Sequence, residues 1–186
     1  MKSGRFDRVQ DCIDAIRNGR VSVNNNTIKN PNFFFSLKNS LVKLDNNKIK
    51  KVSKLYFIMN KPAGYLSQKS PKEKTIYDLI KKLDIPAEQF KSLFAVGRLD
   101  RDTEGLMIIT NDGQLSDMVI QPNSEVAKRY QVLLENPIAN ENISLLEKGV
   151  IIEIDDKKYK TTNCKIRKVK ENEIYMSITE GRKRQI

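Results

Sequence analysis

The segment that most constrains this chain is a charged loop followed at once by an apolar strand. Residues 98–106 hold two arginines and three carboxylates, and the loop is bracketed by Gly97 and Gly105. The apolar run Leu106–Ile109 comes directly after it and is typical of a strand buried on at least one side. A plain turn rarely carries so much charge beside such a strand. The loop is therefore either a salt-bridged connector or a place where chemistry is done.

The charge balance indicates a polyanionic partner. The 186 residues include 34 Lys and Arg against 23 Asp and Glu, which gives a net charge of +11 and a pI near 9.6. Residues 1–54 hold 12 basic and 4 acidic residues, so 12 − 4 = +8 of that excess lies in the first third of the chain. A basic module joined to a more neutral body is typical of a protein that binds nucleic acid.

Residue usage also excludes several kinds of site. The chain has no histidine, and its two cysteines, Cys12 and Cys164, are far apart, so the sequence predicts no zinc site and excludes histidine as a catalytic base. No run of about 18 apolar residues predicts a membrane span, and the polar sequence after Met1 predicts no secretory signal. We expect a cytoplasmic protein that contacts no membrane, with both thiols reduced and buried.

Periodicity predicts an α+β fold. Strands are interrupted irregularly by helices, which favours a mixed, mainly antiparallel sheet with flanking helices over a doubly wound sheet. A polar, lysine-rich linker is predicted over residues 45–54. Helices are predicted over 8–18, 76–83, 114–120 and 142–148, and strands over 20–23, 33–35, 41–44, 55–59, 93–96, 105–110, 130–134, 150–154, 159–169 and 174–178.

Three side chains of the loop, Arg98, Asp100 and Asp102, are spaced by two and share one side if the loop is extended. A guanidinium beside Asp100 would keep that carboxylate ionised. An ionised carboxylate suits nucleophilic attack or stabilisation of a cationic sugar centre. A remote alternative is a metal-dependent nuclease that gathers Asp100, Asp102, Glu104 and Asp112 around Mg²⁺.

Three ordered motifs resemble those of ribosomal RNA pseudouridine synthases of the RsuA-like branch. The central one is Gly97-Arg98-Leu99-Asp100-x-x-Thr103-x-Gly105-Leu106, which runs on to Asn111-Asp112-Gly113. The earlier Asn60-Lys61-Pro62-x-Gly64 is similar to the family's first motif, and the segment 180–186 is similar to its third. The resemblance covers residues 55–186. A weaker likeness to the S4 RNA-binding module lies over residues 16–24.

The resemblance implies an isomerisation without cofactor or metal, in which the uridine base leaves C1′ and rejoins it through C5. Asp100 matches the family's essential aspartate, which acts as nucleophile or as partner of the sugar cation. Arg98 matches the motif arginine that helps hold the flipped nucleotide, and Tyr130 falls where the family stacks a tyrosine on the base. Thr103 is placed with them at the substrate, where it shapes the loop rather than doing chemistry.

The resemblance also implies the partner and the domain order. Residues 1–50 would form an S4-like RNA-binding module that lacks its first helix. Residues 55–186 would form the catalytic domain, which ends at Ile186 just before a cation that the family pairs with its aspartate. The protein is expected to be a monomer that acts on ribosomal RNA, or a catalytically impaired RNA-binding or ribosome-assembly protein. RNA contacts are predicted at Arg17, Arg20, Lys61, Lys128, Arg182 and Arg184.

Overall fold

The computed structural model describes residues 6, 8–36, 38–49, 53–121 and 124–186. Contacts between residues divide the chain into two compact units, one up to Gly113 and one from Gln114. The predicted domains, 1–50 and 55–186, stay predictions. Residues 50–52 of the predicted linker lie outside the described residues, as do residues 1–5 and 7 at the start of the predicted S4-like module.

The N-terminal part of the first unit combines a helix with a small antiparallel sheet in the order β2-β1-β3-β4. Its elements are α1 (Val9–Arg17), β1 (Val21–Val23), β2 (Asn26–Ile28), β3 (Val42–Leu44) and β4 (Asn47–Lys48). The linker predicted over 45–54 is wrong at its start, because β4 pairs with β3 there. The strand predicted over 33–35 is also wrong, since that segment is irregular and the Phe34 side chain is 94% exposed.

Two-residue turns fix the register of these strands. Asn24 and Asn25 connect β1 to β2, and Asp45 and Asn46 connect β3 to β4, all with positive φ. A turn of this kind twists in the same sense as the strands it joins. Asn and Asp adopt left-handed backbone more readily than other residues with a side chain, which explains their use here without glycine.

The rest of the first unit is a sheet in the order β5-β7-β6, covered on one face by apolar side chains. The elements are β5 (Tyr56–Lys61), α2 (Ile76–Ile80), α3 (Ala87–Ser92), β6 (Phe94–Val96) and β7 (Gly105–Thr110). Side chains from α2 and from β7 meet in a common core, in which Ile76 and Ile109 are fully buried. This core is the base from which the charged loop between β6 and β7 projects.

The second unit holds a hairpin and a three-strand antiparallel sheet among its described residues, in the orders β10-β9 and β11-β12-β8. Its elements are α4 (Gly113–Ile120), β8 (Lys128–Leu133), α5 (Asn140–Glu147), β9 (Ile151–Ile154), β10 (Lys157–Lys160), β11 (Lys165–Lys170) and β12 (Glu173–Ile178). The single strand predicted over 159–169 is two strands, β10 and β11. The predicted α+β fold with mainly antiparallel pairing is confirmed. No helix in the described ranges has the length and apolar character needed to cross a membrane.

Candidate active site

The charged loop spans residues 97–104 and joins two neighbouring antiparallel strands, β6 and β7. Gly97 and Gly105 both have positive φ, 82° and 134°. A side chain at either position would strain the backbone, so the two glycines fix where the loop leaves β6 and where it enters β7. The loop between them is held by groups from β5 and from the segment that follows it.

The first point of attachment is Leu99. The hydroxyl of Ser67 donates to the Leu99 carbonyl at 2.6 Å and accepts from the Leu99 amide at 3.0 Å. Ser67 is buried, and the Leu99 side chain packs against the apolar core. One hydroxyl therefore satisfies both backbone groups of the residue that precedes Asp100, and the core anchors its side chain.

The second point of attachment is made by Lys61 at the end of β5. Its side chain is 0% exposed, and its ammonium donates to the carbonyls of Pro62 at 3.1 Å, Arg101 at 3.1 Å and Thr103 at 2.7 Å. The Arg101 carbonyl also accepts from the Gly64 amide at 2.7 Å. The loop is thus pinned at the residue directly after Asp100 and again at Thr103.

The surroundings of the buried Lys61 ammonium change its pKa. Burial lowers the pKa of Lys61, and the nearby carboxylates of Asp102, Asp100 and Glu104 oppose that change. All three ammonium hydrogens are used inside the protein. The structure therefore differs from the RNA contact predicted at Lys61, because the ammonium is buried and its hydrogens are used within the protein.

Asp100 lies between the two points of attachment. Its side chain is exposed, and in the described part of the chain no ion pair or hydrogen bond to its carboxylate is seen. Its own carbonyl accepts from the Thr103 amide at 3.2 Å. A carboxylate held in this way is presented to solvent from a rigid backbone and keeps both oxygens available for a ligand.

Arg98 does not form the expected ion pair with Asp100 among the described residues. Its exposed guanidinium instead borders a cavity of about 500 Å³ on the same unit. That cavity is also lined by Ser67, Lys69, Tyr77 and Lys91. The three cations around this open space, Arg98, Lys69 and Lys91, favour an anionic ligand.

The other acidic groups of the loop are not gathered together. Asp102 and Glu104 are exposed, while the neighbouring Arg101 donates to Glu73, a carboxylate outside the loop, at 2.9 Å. Among the described residues no group of three or more Asp, Glu, Cys or His side chains is close enough to hold a metal ion. The gathering of Asp100, Asp102, Glu104 and Asp112 that the nuclease alternative requires is therefore not seen in that part of the chain.

The second unit carries the remaining residues predicted for the substrate and the third motif. Tyr130 is half-buried on β8, opposite Met176 of β12. The Arg182 guanidinium lies over the Tyr159 ring at 4.8 Å, and its Nε is 3.7 Å from the Glu180 carboxylate. Arg184 is exposed, whereas the Lys128 ammonium lies 3.4 Å from the Thr179 carbonyl.

The two cations predicted in the N-terminal part have different surroundings. Arg17 is exposed in the last turn of α1 and forms no ion pair with a described residue. Arg20 pairs with Asp45, with Nε to Oδ1 at 2.9 Å and Nη2 to Oδ2 at 2.5 Å. The Arg20 pair ties β1 to the turn between β3 and β4, so its charge is partly used within the module.

Sequence reasoning missed Ser67 and misplaced Lys61. A signal for Lys61 was present, because Phe57 and Met59 face the core and the alternation of a strand puts residue 61 on the same face. No comparable pattern marks Ser67, which lies in an irregular segment and contacts a residue 32 positions later. Its role depends on the tertiary fold.

Comparison with known proteins indicates the same family as the three sequence motifs. The family model for RNA pseudouridylate synthase matches residues 55–186. An uncharacterized RNA pseudouridine synthase of Bacillus subtilis (strain 168) is 41% identical over 138 residues, which are 71% of this chain and 54% of that protein. Ribosomal small subunit pseudouridine synthase A of Salmonella typhimurium is 33% identical over 172 residues, which are 92% of this chain and 71% of that protein.

A solved structure agrees with these relatives. A crystal structure of a pseudouridylate synthase superimposes with a TM-score of 0.63 and 27% identity, covering 95% of this chain and 73% of that one. The chain spans about half the length of the Bacillus subtilis relative. The match of the family model over most of the chain establishes one conclusion: this chain belongs to the RNA pseudouridylate synthase family.

Proposed function

We propose that this chain converts a uridine of ribosomal RNA to pseudouridine. Its family and its Salmonella typhimurium relative, a synthase named for the small ribosomal subunit, support this reaction. The observation that carries the proposal is the presentation of Asp100, an exposed carboxylate between two residues whose backbones are pinned to buried groups.

The chemistry assigned to Asp100 begins at the sugar. A carboxylate oxygen attacks C1′ or stabilises its developing positive charge while the bond from C1′ to N1 breaks. The freed base turns and C5 forms the new bond to C1′, which breaks the bond from C1′ to the carboxylate oxygen where that bond has formed. The proton on C5 is then lost, and N1 gains a proton. No atom is gained or lost overall. The reaction therefore requires no oxidant, reductant or group donor, and we propose that it proceeds without cofactor or metal.

Substrate positioning is assigned to Arg98, Tyr130 and Thr103. A uridine inside a helix hides both reacting atoms, so it has to leave the base stack before reaction. An exposed guanidinium at Arg98 suits a phosphate next to the extruded nucleotide, and the ring of Tyr130 suits the face of its base. Thr103 holds the loop in shape, because its carbonyl accepts from the Lys61 ammonium.

RNA affinity is assigned to cations outside the loop. We propose that residues 1–50 form an S4-like RNA-binding module and that residues 55–186 form the catalytic domain of a cytoplasmic, monomeric protein. The RNA-facing cations would be Arg17, Arg20, Lys128, Arg182 and Arg184, of which Arg17 and Arg184 are exposed without a described ion pair. Phosphate contacts of this kind supply binding without selecting a sequence.

The test is the replacement of Asp100 by Asn, with Asp102→Asn as the matched control in the same loop. Asp100→Asn is expected to abolish pseudouridine formation in ribosomal RNA, read by chemical mapping, while RNA binding persists. Asp102→Asn is expected to retain turnover within about threefold, a change in the barrier of about 0.7 kcal/mol, because the Asp102 side chain is exposed and makes no hydrogen bond to the described groups that hold the loop. Full turnover by the Asp100→Asn variant would remove Asp100 from the mechanism.

The same assay run in EDTA separates this proposal from metal-dependent nuclease action. The synthase is expected to work in the chelator and to leave the RNA intact. RNA cleaved only when divalent metal is present would support the nuclease instead. RNA bound but chemically unchanged by the wild-type protein would support an RNA-binding or ribosome-assembly role.

A further inference from the structure

One face of the sheet β11-β12-β8 in the second unit gathers cations around a tyrosine. Directly opposed residues in this antiparallel register point to the same side, as do residues two apart on one strand. The register therefore places two rows on one face, and these rows are Arg129–Ser177–Lys165 and Gln131–Tyr175–Arg167. We call this set of six residues the β8–β11 face.

Charge is concentrated on this face beyond what composition requires. Residues 114–186 contain 13 Lys and Arg and 11 Asp and Glu, so the second unit is almost neutral. Arg129, Lys165 and Arg167 are all exposed on the β8–β11 face. The carboxylate that shares this side of the sheet, Glu173, is buried and accepts from Gln131 at 2.7 Å.

These cations differ from the cations of the unit that are already paired. Lys168 pairs with Glu171 and Lys183 pairs with Asp155, so their charges are used within the protein. Over the described ranges, Arg129, Lys165 and Arg167 form no ion pair. Unpaired, exposed cations in adjacent rows retain their full attraction for an external anion.

The aromatic side chain adds a second kind of contact. The Arg167 guanidinium lies 5.2 Å from the centre of the Tyr175 ring, and that residue is partly exposed on the middle strand. Unpaired nucleobases stack on tyrosine rings and on arginine planes. A phosphate alone would not require the ring, and an acidic protein segment offers no base to stack on it.

We propose that the β8–β11 face binds an unpaired stretch of RNA. Arg129 and Lys165 would contact phosphates, and a base would stack on the pair formed by Tyr175 and Arg167. Strands lie about 4.8 Å apart, so the row from Arg129 to Lys165 spans about 10 Å and can contact more than one nucleotide. The choice of RNA as the ligand rests on the proposed function, whereas the site itself rests on the register and on the cations.

The first experiment measures binding of a labelled oligouridylate of about a dozen nucleotides to the full chain by fluorescence anisotropy at several salt concentrations. The variant combines Arg129→Gln, Lys165→Gln and Arg167→Gln. Its matched control removes the same charge from exposed lysines elsewhere in the unit, with Lys148→Gln, Lys157→Gln and Lys158→Gln.

Loss of the two phosphate contacts of Arg129 and Lys165 should reduce the slope of log affinity against log salt by about 1.4, because each contact to a single strand contributes about 0.7. The control should keep the wild-type slope. Equal slopes in the face variant and the control would overturn the proposal.

The second experiment tests the aromatic part. Tyr175→Leu should weaken oligouridylate binding at least about fivefold, since stacking of one base contributes that much or more. Arg167→Lys keeps the charge but removes the planar group, so it should also weaken binding even if Tyr175→Leu unfolds. Wild-type affinity in Arg167→Lys, or binding of polyglutamate as tight as that of RNA, would contradict base stacking.

Pseudouridine formation by the wild-type chain is followed in parallel to separate the two proposals. Normal isomerisation with unaltered RNA binding in the face variants would refute the β8–β11 face and leave the activity standing. Absent isomerisation with the expected loss of binding would refute the activity and leave the face standing.

Discussion

The Lys61 ammonium is removed from solvent, and its three hydrogens are divided among three backbone carbonyls. Burial of a charged group is unfavourable unless hydrogen bonds replace its water. Here the carbonyls replace that water, and two of them belong to the loop that carries Asp100. The side chain therefore stabilises the loop from inside rather than meeting a ligand.

Replacement of Lys61 by Met should destabilise the protein by about 3 kcal/mol or more, because it removes three hydrogen bonds that a charged group donates. Urea denaturation at pH 7 measures the change. Lys72→Met is the control, since Lys72 is exposed in the same unit and its loss should alter stability by less than about 0.5 kcal/mol. Equal midpoints for the two variants would show that the buried hydrogen bonds of Lys61 contribute little.

Ser67→Ala removes the hydroxyl that holds both backbone groups of Leu99. Displacement of the neighbouring Asp100 by about 1 Å would slow the reaction on the order of 100-fold. We expect kcat for pseudouridine formation to fall while KM for RNA changes little, because the Ser67 hydroxyl is used by the Leu99 backbone and so positions the carboxylate. Ser70→Ala, in the same segment, should leave kcat unchanged. A rise in KM alone would argue against positioning.

Alternation along β5 was enough to place Lys61 on the core side, but residue type suggested a surface position. Lysine is rarely buried, so the prediction of a phosphate contact followed the usual behaviour of the residue and was overridden by the fold. The charged loop and its aspartate were visible in the sequence. The groups that hold the loop could not be predicted from the local sequence, because they belong to residues 32 to 42 positions earlier in the chain.

At the scale of elements, the first turn of helix α2 contains a carboxylate that accepts hydrogen bonds from the residue before the helix. Asp78 accepts from the Thr75 amide at 2.7 Å and from the Thr75 hydroxyl at 3.0 Å. These donors stabilise the ionised form and lower the pKa of Asp78 below its ordinary value of 3.8, with the backbone amide as the largest cause. The helix in turn supplies Ile76 and Ile80 to the core under the charged loop.

A lowered pKa has a defined effect on acid stability. The unfolded chain binds a proton at Asp78 more readily than the folded one, so this contribution is complete above the ordinary pKa of 3.8 and is lost as the pH falls through the folded pKa below that value. Asp78→Asn should therefore show a smaller loss of urea midpoint between about pH 5 and about pH 3 than the wild type. Asp84→Asn, a nearby exposed carboxylate, should follow the wild-type curve. Identical curves for all three proteins would show that Asp78 does not contribute to the loss of stability in acid.

Other elements show where sequence patterns succeed. The apolar strands β5, β7 and β12 were predicted within two residues at each end, because each combines a dense apolar run with flanking polar residues. Helix α3 was missed, since its six residues carry too few apolar positions to set a helical period. The division between β10 and β11 was missed because no glycine or proline stands between them, and backbone bonds from Thr161 to Val150 and from Cys164 to Glu147 bend the chain there.

At the scale of the whole molecule, a net charge of +11 predicts that RNA affinity falls steeply with salt. Arg17→Gln should reduce the slope of log affinity against log salt by about 0.7 to 0.9, because Arg17 is exposed and makes no described ion pair. Filter binding at several salt concentrations gives the slope. Arg8→Gln removes the same charge from a side chain already paired with Asp11, and its slope should change less. Equal slopes for both variants would show that Arg17 contributes only to the net charge and makes no phosphate contact of its own.

The overall class of the fold and most of its strands followed from composition and periodicity, whereas the grouping of residues into compact units did not. The predicted domain boundary in the lysine-rich segment near residue 50 stays a prediction. The division into compact units lies at Gly113, between elements of similar composition. Contacts between distant segments decide that division, and local sequence carries little information about them.

The short turns built from Asn and Asp have a consequence for the order of assembly. The hairpins β1–β2, β3–β4 and β9–β10 each require the chain to close over two residues, an event of microseconds for an isolated hairpin. Pairing of β5 with β7 brings Tyr56 next to Thr110, so it requires closure of a much longer loop of the chain. The pairing of β5 with β7, which supports the charged loop that carries Asp100, therefore forms after the small hairpins have closed.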